Sequence, residues 1–479
     1  LIPCLFFYAL LTGLSAASLR AAVMLSVIAS SLLVDRPAIV LNSLGAAGLA
    51  LLVWDSNELF NSGFQLSFGA VAMICLIAVP LHRRLGAFVQ PDPFLPPRLI
   101  PPWWRMGYSL ANGVTLLVTV SFAAWLATLP LILFYFHLIP IYSIPANLLA
   151  VPLSTVVLIL AAISMVAGAI SSWLAVVFNH ANFLLAKVVL FIVQAFAALP
   201  GSAIYLGAPL PHGAVAQIVV LDAGGGGAEA LFADHRTWLV DGGSEFFADT
   251  VTLPFLRMSG VNRLEALVLT HGDMQHIGGF DRIFESLKPE VVLDSGLQDR
   301  SPTRKRILAA TSVRTTNAGA KFPLGTTARV EVLYPPADAN TPLADDKAIV
   351  LRFETGDFSA LLMSDSGLLT ELWLLQHAPD RLRCDLIVMG RHLSGFSGDE
   401  QLLRAAAPHA IIATVEAFPE SERIRPEWAR TVQSLGIVLL RQDETGAVTV
   451  TVRPDSFTLT PFLAGNAPRT FPNATDPLR

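Results

Sequence analysis

Across its first 200 residues this chain holds seven basic side chains (Arg20, Arg36, Arg83, Arg84, Arg98, Arg105, Lys187) and four acidic ones (Asp35, Asp55, Glu58, Asp92), scattered among long apolar runs. Runs so poor in charge must satisfy their backbone amides internally, as helices, and a bilayer is the solvent that accepts such helices. About 20 apolar residues span a hydrocarbon core. The punctuation predicts helices at 1–14, 19–34, 38–54, 63–81, 109–136, 144–170 and 173–199. The first is partial, and 19–34 is marginal as a full crossing: it is short enough to be tilted, broken or re-entrant. The rest of the chain's 32 basic and 37 acidic residues fall in 201–479, which is net negative and globular in composition. The chain starts with Leu inside an apolar run, which reads as a piece lacking its upstream part. Cys4, Cys75 and Cys384 lie too far apart for a disulfide framework or a zinc ribbon.

Between 82 and 107 the composition changes, with prolines at 91, 93, 96, 97, 101 and 102, four arginines and the run Trp103-Trp104-Arg105. Aromatic rings beside a cation suit the headgroup level, and the arginines mark this loop as cytoplasmic. Three crossings later the chain emerges near residue 200 on the other face, so the globular half is expected outside the cytoplasm. Pro130 or Pro145 would change that parity if either broke a helix. Polar side chains inside spans are costly and usually face a bundle interior or a wet cavity. Arg20, Asn42, Gln65, Asn112 and Asn147 are the candidates here, either as lining of a path or as bonds between helices.

The run Gly63-Phe64-Gln65-Leu66-Ser67-Phe68, with Arg20-Ala21 upstream and Ile144-Pro145-Ala146-Asn147-Leu148-Leu149-Ala150-Val151-Pro152-Leu153 downstream, resembles the competence domain of ComEC-type DNA-uptake channels over nearly all of residues 1–200. The resemblance implies a multi-pass protein of the bacterial inner membrane that passes one DNA strand inward during natural transformation. It also implies further helices and an OB-like domain upstream, both absent from this chain. As partners it implies single-stranded DNA, membrane lipid, a DNA receptor and a cytoplasmic motor, with homo-oligomerisation left open.

From about 212 the pattern shifts to short apolar strands and amphipathic helices. Strands are predicted at 215–222, 228–233, 236–240, 264–270, 290–294, 329–334, 348–354, 358–364, 385–390, 409–415, 437–441 and 447–453. Helices are predicted at 277–287, 302–311, 367–377, 399–407 and 426–435. A layered sheet sandwich with outer helices follows. Residues 201–211 read as a linker, 212–453 as the second domain and 454–479 as a proline-rich tail without a core pattern.

The chemistry of this half centres on Thr270-His271-Gly272-Asp273-Met274-Gln275-His276, where a strand hands over to a helix. His and Asp gathered at a strand end are donors for zinc or manganese, although two histidines at a helix start serve equally well as caps and hydrogen-bonding groups. Asp241 in Leu-Val-Asp-Gly-Gly, Asp365 in Leu-Met-Ser-Asp, and Arg391-His392-Leu393-Ser394 each follow an apolar strand. This order resembles the metallo-β-lactamase-like domain that ends ComEC-type proteins, which implies an αββα sandwich over about 212–453.

Carried over by position, the resemblance implies His271, Asp273, His276, Asp365 and His392 as metal ligands, Asp273 and His276 as catalytic, and Asp241 as the group that orients a histidine. The departures fall on chemistry. The family reads His-x-Asp-x-Asp-His where Gln275 stands second, bringing an amide beside the ligands rather than a charge. Gly224 to Gly227 replace Gly-Gln-Gly-Asp, Arg391 stands in His-His-Gly-Ser, and Arg425-Pro426 replaces His-Pro. An arginine is a permanent cation and does not ligate metal. The expectation is a site altered to one ion or none, with Arg391 and Arg425 binding phosphate as bidentate donors. The alternatives are an active metal-dependent nuclease that degrades the strand not imported, and a membrane-tethered hydrolase without a transport role. The cluster Arg300, Arg304, Lys305, Arg306 reads as solvated surface.

Overall fold

The computed structural model describes residues 2–473, other than 12, 14–15, 34–38, 90–99, 208–209, 299, 342, 392–396, 417, 419–422, 464 and 466. The chain divides into two units, Leu1–Leu206 and Gly207–Arg479.

The first unit is helical: Ile2–Leu11, Ala16–Leu33, Val40–Trp54, Ser62–Gly86, Pro102–Phe136, Ser143–Ile170 and Ser172–Ala197. The last four are long and apolar enough to cross a membrane. Ser62–Gly86 loosens into one π turn over Ile74–Ala78 just before Pro80, which has no N–H to continue the ladder. Pro130 lies within a continuous helix, and Pro145 lies in the first turn of its own, where a missing N–H costs nothing. Neither proline breaks a span. The loop expected at 82–107 is shorter than its proline content suggests. Arg83 and Arg84 close one helix, while Trp103, Trp104 and Arg105 open the next. Pro101 and Pro102 cause the difference, since proline is pre-shaped for a helix start as well as for a turn.

Strand β1 (Leu138–Pro140) follows Pro102–Phe136, and β2 (Ala203–Tyr205) follows Ser172–Ala197; the two pair antiparallel. Residues 138 and 205 therefore lie at the same end of the helical unit, the end opposite residue 102.

The second unit contains, among its described residues, two sheets. The first runs through β3 (Ala216–Val220), β4 (Glu229–Ala233), β5 (Arg236–Val240), β6 (Ala266–Leu269), β7 (Val291–Asp294) and β8 (Arg314–Thr315). On the other side of β3 it continues through β16 (Val448–Val452), β17 (Ser456–Pro461) and β18 (Arg469–Pro472). The second sheet has the order β15 (Val438–Arg441), β14 (Ala410–Ala413), β13 (Leu386–Met389), β12 (Phe358–Leu362), β11 (Val350–Thr355), β10 (Ala328–Tyr334), β9 (Lys321–Leu324).

Alternate side chains of each central strand enter different cores. Ile218 and Val220 pack between the sheets while Val219 packs under the outer helices. On the second sheet Leu386 and Val388 face inward, and Ile387 and Met389 face Leu374, Leu403 and Val432 of its own helices. Strands buried on both faces read as continuous apolar runs, and two sheets covered by helices on their outer faces make the αββα sandwich expected from the sequence.

Residues 454–473 are not a coreless tail. β17 pairs with β16 and β18 with β17, and Phe457 and Leu459 are fully buried between the sheets. Their period-two alternation is short and framed by prolines, which hid it. Phe457→Ala is expected to destabilise the second unit by about 3–5 kcal/mol. The measurement is thermal unfolding of the full chain in detergent, and an unshifted transition would return the segment to the status of a tail.

Candidate metal centre and an arginine-lined cavity

The centre forms where strands end. β5 and β6 are parallel, so their carboxyl ends lie side by side and deliver Asp241 and Thr270-His271 to one edge. β12, in the other sheet, delivers Ser364-Asp365. Asp241 and Ser364 both adopt positive φ, at 55° and 49°, a conformation disfavoured for a residue with a Cβ and tolerated where surrounding bonds fix it. Those bonds are present. Asp241 Oδ1 accepts from Thr270 N at 2.9 Å, and its Oδ2 accepts from Thr270 Oγ1 at 2.5 Å. Thr270 Oγ1 also lies 3.0 Å from Ser364 Oγ, tying the two sheets together at this point.

His276 lies between two carboxylates, with Nδ1 2.8 Å from Asp241 Oδ2 and Nε2 3.0 Å from Asp365 Oδ2. Burial opposes its positive charge, but the charge of Asp365 and the hydrogen bonds to Asp241 and Asp365 outweigh it and hold the imidazole well above its ordinary pKa. His271, its ring centroid 4.3 Å away, goes the other way: burial and then the His276 cation lower it, so it is neutral. Its Nε2 is buried without a hydrogen-bond partner among the described residues and lies 3.9 Å from Asp345 Oδ1.

Glycines let the chain close over this pair. A Cβ at Gly227 would fall 2.9 Å from His276 Nδ1, and one at Gly226 would strike the Gln275 carbonyl oxygen at 2.0 Å. The four-glycine run thus lets backbone pack tightly over Gln275 and His276.

The centre fits a metal ion. Asp241, His271 and His276 each offer a ligand atom within 4.8 Å of the others, all three buried, and Asp365 stands against His276. Neutral His271 with an unengaged Nε2 is a ready donor, whereas His276 would have to give up its proton to ligate.

Asp273 has a different task from the one expected. It is exposed, and its carboxylate caps the turn Met274–Ile277 by accepting from Gln275 N at 2.8 Å. The Asp at the first position of a helix is drawn to the free amides there rather than to the cluster. Gln275 is also exposed, with Oε1 lying over Gly225. His392 lies outside the described residues.

Two members of the centre carry weak sequence signals. Asp345 belongs to a short turn, Asp345–Lys347. Glu229 opens β4, fully buried, and burial first and the Asp241 charge second push its carboxyl up to about 8. A lone carboxylate in an otherwise apolar strand was the one available sign of it.

Arg391 and Arg425 lie around one cavity of about 360 Å³, together with Arg423, Gly398 and Trp428. Gly390 lines it as well, and a Cβ on Gly390 would fall 1.8 Å from Asp365 Oδ1, so the cavity wall lies directly against the metal centre. Of the cluster expected to be solvated surface, Arg304 is instead buried in a two-bond pair with Asp294, at 2.8 and 2.5 Å. Arg306 pairs with Asp281 at 2.6 Å. Arg300 and Lys305 line a separate cleft with Lys347.

In the helical unit Arg20 is buried with Nη1 3.9 Å from Glu58 Oε2, against Gly63 and Asn61. Gln65 accepts from Tyr135 Oη at 3.1 Å and donates to the Leu59 carbonyl at 2.9 Å. Asn42 is exposed on its helix and Asn147 half-buried. Asn112 Oδ1 is buried without a partner among the described residues. Glu58 and Tyr135 were missed because each sits beside a helix end and reads as an ordinary boundary residue.

The fold keeps Glu229 neutral up to about pH 8, whereas the unfolded chain ionises it near its usual 4.5. Folding therefore holds a proton that unfolding sheds, and stability falls as pH rises across that window. In chelator, Glu229→Gln is expected to flatten this part of the stability profile; parallel profiles for the two chains would overturn the assignment.

The family described as Competence protein matches residues 1–225. ComE operon protein 3 of Bacillus subtilis (strain 168) is 22% identical over 517 residues, covering 92% of this chain and 62% of that protein. Competence protein ComA of Neisseria gonorrhoeae is 28% identical over 236 residues, covering 49% of this chain and 32% of that protein. The chain thus spans less than two thirds of the length of these relatives. Among solved structures, the metallo-β-lactamase fold protein YhfI from Bacillus subtilis aligns at 10% identity with a TM-score of 0.34, covering 47% of this chain and 95% of that one. Igni18, a metallo hydrolase from Ignicoccus hospitalis KIN4/I, aligns at 11% identity with a TM-score of 0.36, covering 50% and 100%. The helical half thus matches the competence-protein family, and the chain is similar along 92% of its length to ComE operon protein 3 of Bacillus subtilis (strain 168).

Proposed function

We propose that this chain is an inner-membrane component for uptake of single-stranded DNA in natural transformation. In this reading its αββα unit engages DNA through phosphate rather than cutting it. The observation that carries the second part is the convergence of Arg391 and Arg425 on one cavity, at positions where the family resemblance implies histidines. Gln275 in place of a carboxylate and Asp273 spent on a helix cap support the same reading, since both remove anionic donors that a second metal would need.

The helical unit is the proposed path. Arg20 and Gln65 place polar groups within apolar helices, where they are expensive and usually mark a functional interior, and Glu58 and Tyr135 reach them from beside helix ends. Arg83, Arg84 and Arg105 flank the connection assigned to the cytoplasm, and the pairing of β1 with β2 puts the end of the last helix opposite that connection. An extracytoplasmic αββα unit follows from this parity.

The buried donor cluster favours a second reading, a metal-dependent nuclease. His271, His276 and Asp365 would hold a zinc or manganese ion, with Asp241 orienting His276. A bound ion would lower the pKa of a water and polarise a phosphodiester.

Deletion of the gene is expected to abolish import of labelled DNA; undiminished import would remove the uptake reading. Full chain in detergent with added manganese or zinc is expected to bind DNA without cutting it, with Arg391→Ala plus Arg425→Ala weakening binding at least tenfold, or about 1.4 kcal/mol. Bound metal by elemental analysis together with cleavage that is lost in His271→Ala would establish the nuclease instead.

A further inference from the structure

The helix Ser172–Ala197 carries a cation where a membrane-crossing helix least tolerates one. At 1.5 Å per residue it is about 39 Å long, and Lys187 stands about 15 Å from its nearer end. A lysine close to a helix end stretches outward to the headgroups. Lys187 does the reverse: its Nζ leans back one turn over the Phe183 ring, 4.6 Å from the centroid, which carries the ammonium toward the middle of the span.

This helix has two different sides. Phe178, Asn182, Leu185, Val189, Ile192 and Phe196 are half-buried and recur every three or four residues, which makes them one seam. The helix packs against Ser143–Ile170, where Asn179 Oδ1 accepts from Ser164 Oγ at 2.8 Å. At about 100° per residue, His180, Lys187 and Gln194 fall about half a turn away from the seam, stacked along the axis. All three are exposed, and so are Phe183 and Phe191, which flank them. His180 donates Nδ1–H to the Val176 carbonyl at 2.8 Å, which lays its ring along the helix.

A cation in hydrocarbon needs an anion or water beside it. Residues 93–221 contain no Asp or Glu, so none of the helices from Pro102 to Ala197 supplies a carboxylate. Earlier in the unit, Glu58 lies against Arg20 and Asp55 caps the turn Ser56–Phe60, while Asp35 and Asp92 fall between helices in the sequence. The counter-anion of Lys187 therefore comes from outside these spans. A side meant for lipid tails has no use for an ammonium, an imidazole and an amide in one line. A cation for phosphate, with rings at its flanks for bases, is the combination that holds a single nucleic-acid strand without reading its sequence.

We propose that the stripe His180, Lys187 and Gln194, flanked by Phe183 and Phe191, lines the passage through the membrane, and that its occupant is the single DNA strand, one phosphodiester at a time against Lys187. This rests on the uptake reading and adds which side of which helix the strand follows. A single cation suits a moving polyanion, since each contact must be favourable enough to form and weak enough to release.

The test is photo-crosslinking in transformable cells that carry the full-length gene, during uptake of labelled DNA. Benzoylphenylalanine replaces Leu184 or Leu190, the exposed neighbours on either side of Lys187. Adducts with the labelled strand are expected at both positions. Lys187→Met is expected to lower import at least tenfold with the amount of protein in the membrane unchanged, and Lys187→Arg to retain import. Adducts confined to lipid, to a second copy of this chain or to another protein overturn the proposal. So does import in Lys187→Met equal to that of the unaltered chain, or absence of strand adducts while import proceeds. The two readings fail separately: undiminished import in the deletion strain refutes uptake, whereas import lost on deletion without any strand adduct refutes the stripe alone.

Discussion

His276 is almost wholly buried, with Asp241 on one ring nitrogen at 2.8 Å and Asp365 on the other at 3.0 Å. Three ionisable groups can share so dry a place because a cation lies between two anions and the remaining oxygens find donors. Thr270 supplies two of those donors to Asp241 and in the same stroke reaches Ser364 of the opposite sheet. The edge where the two sheets meet is therefore held by charge and hydrogen bonds, while the interior between them is held by apolar packing. The neutral state of His271 and the raised carboxyl of Glu229 follow from that same concentration of charge in a dry edge.

Close backbone approach makes the arrangement possible. Gly226 and Gly227 admit Gln275 and His276 on one side, and Gly390 admits Asp365 on the other. The last of these also lines the arginine-lined cavity.

The helical unit follows another rule. With lipid as solvent, the few polar side chains inside it are the expensive ones, and the structure gathers Arg20, Glu58, Asn61 and Gly63 into one place and Gln65 with Tyr135 into another. Prolines that look like breaks in the sequence are absorbed: Pro130 into a continuous helix, Pro80 by one π turn, Pro102 as a helix start.

Periodicity and charge scarcity determined the helical half, the succession of most strands along the second half and its layered class, because burial on one or two faces writes itself into the spacing of apolar residues. His271, His276 and Asp365 were legible as ligand candidates and Asp241 as a carboxylate orienting a histidine, since each follows an apolar strand. The strand at Ser456–Pro461 was not, because a short alternation among prolines is indistinguishable from a loop until a neighbouring edge accepts it. Nor could spacing assign Asp273 to a helix cap, bring Glu229 and Asp345 to the centre, or close Arg391, Arg423 and Arg425 around one cavity. Those are contacts between segments up to about a hundred residues or more apart, set by which strands pair and in what register, and only the folded sheets fix them.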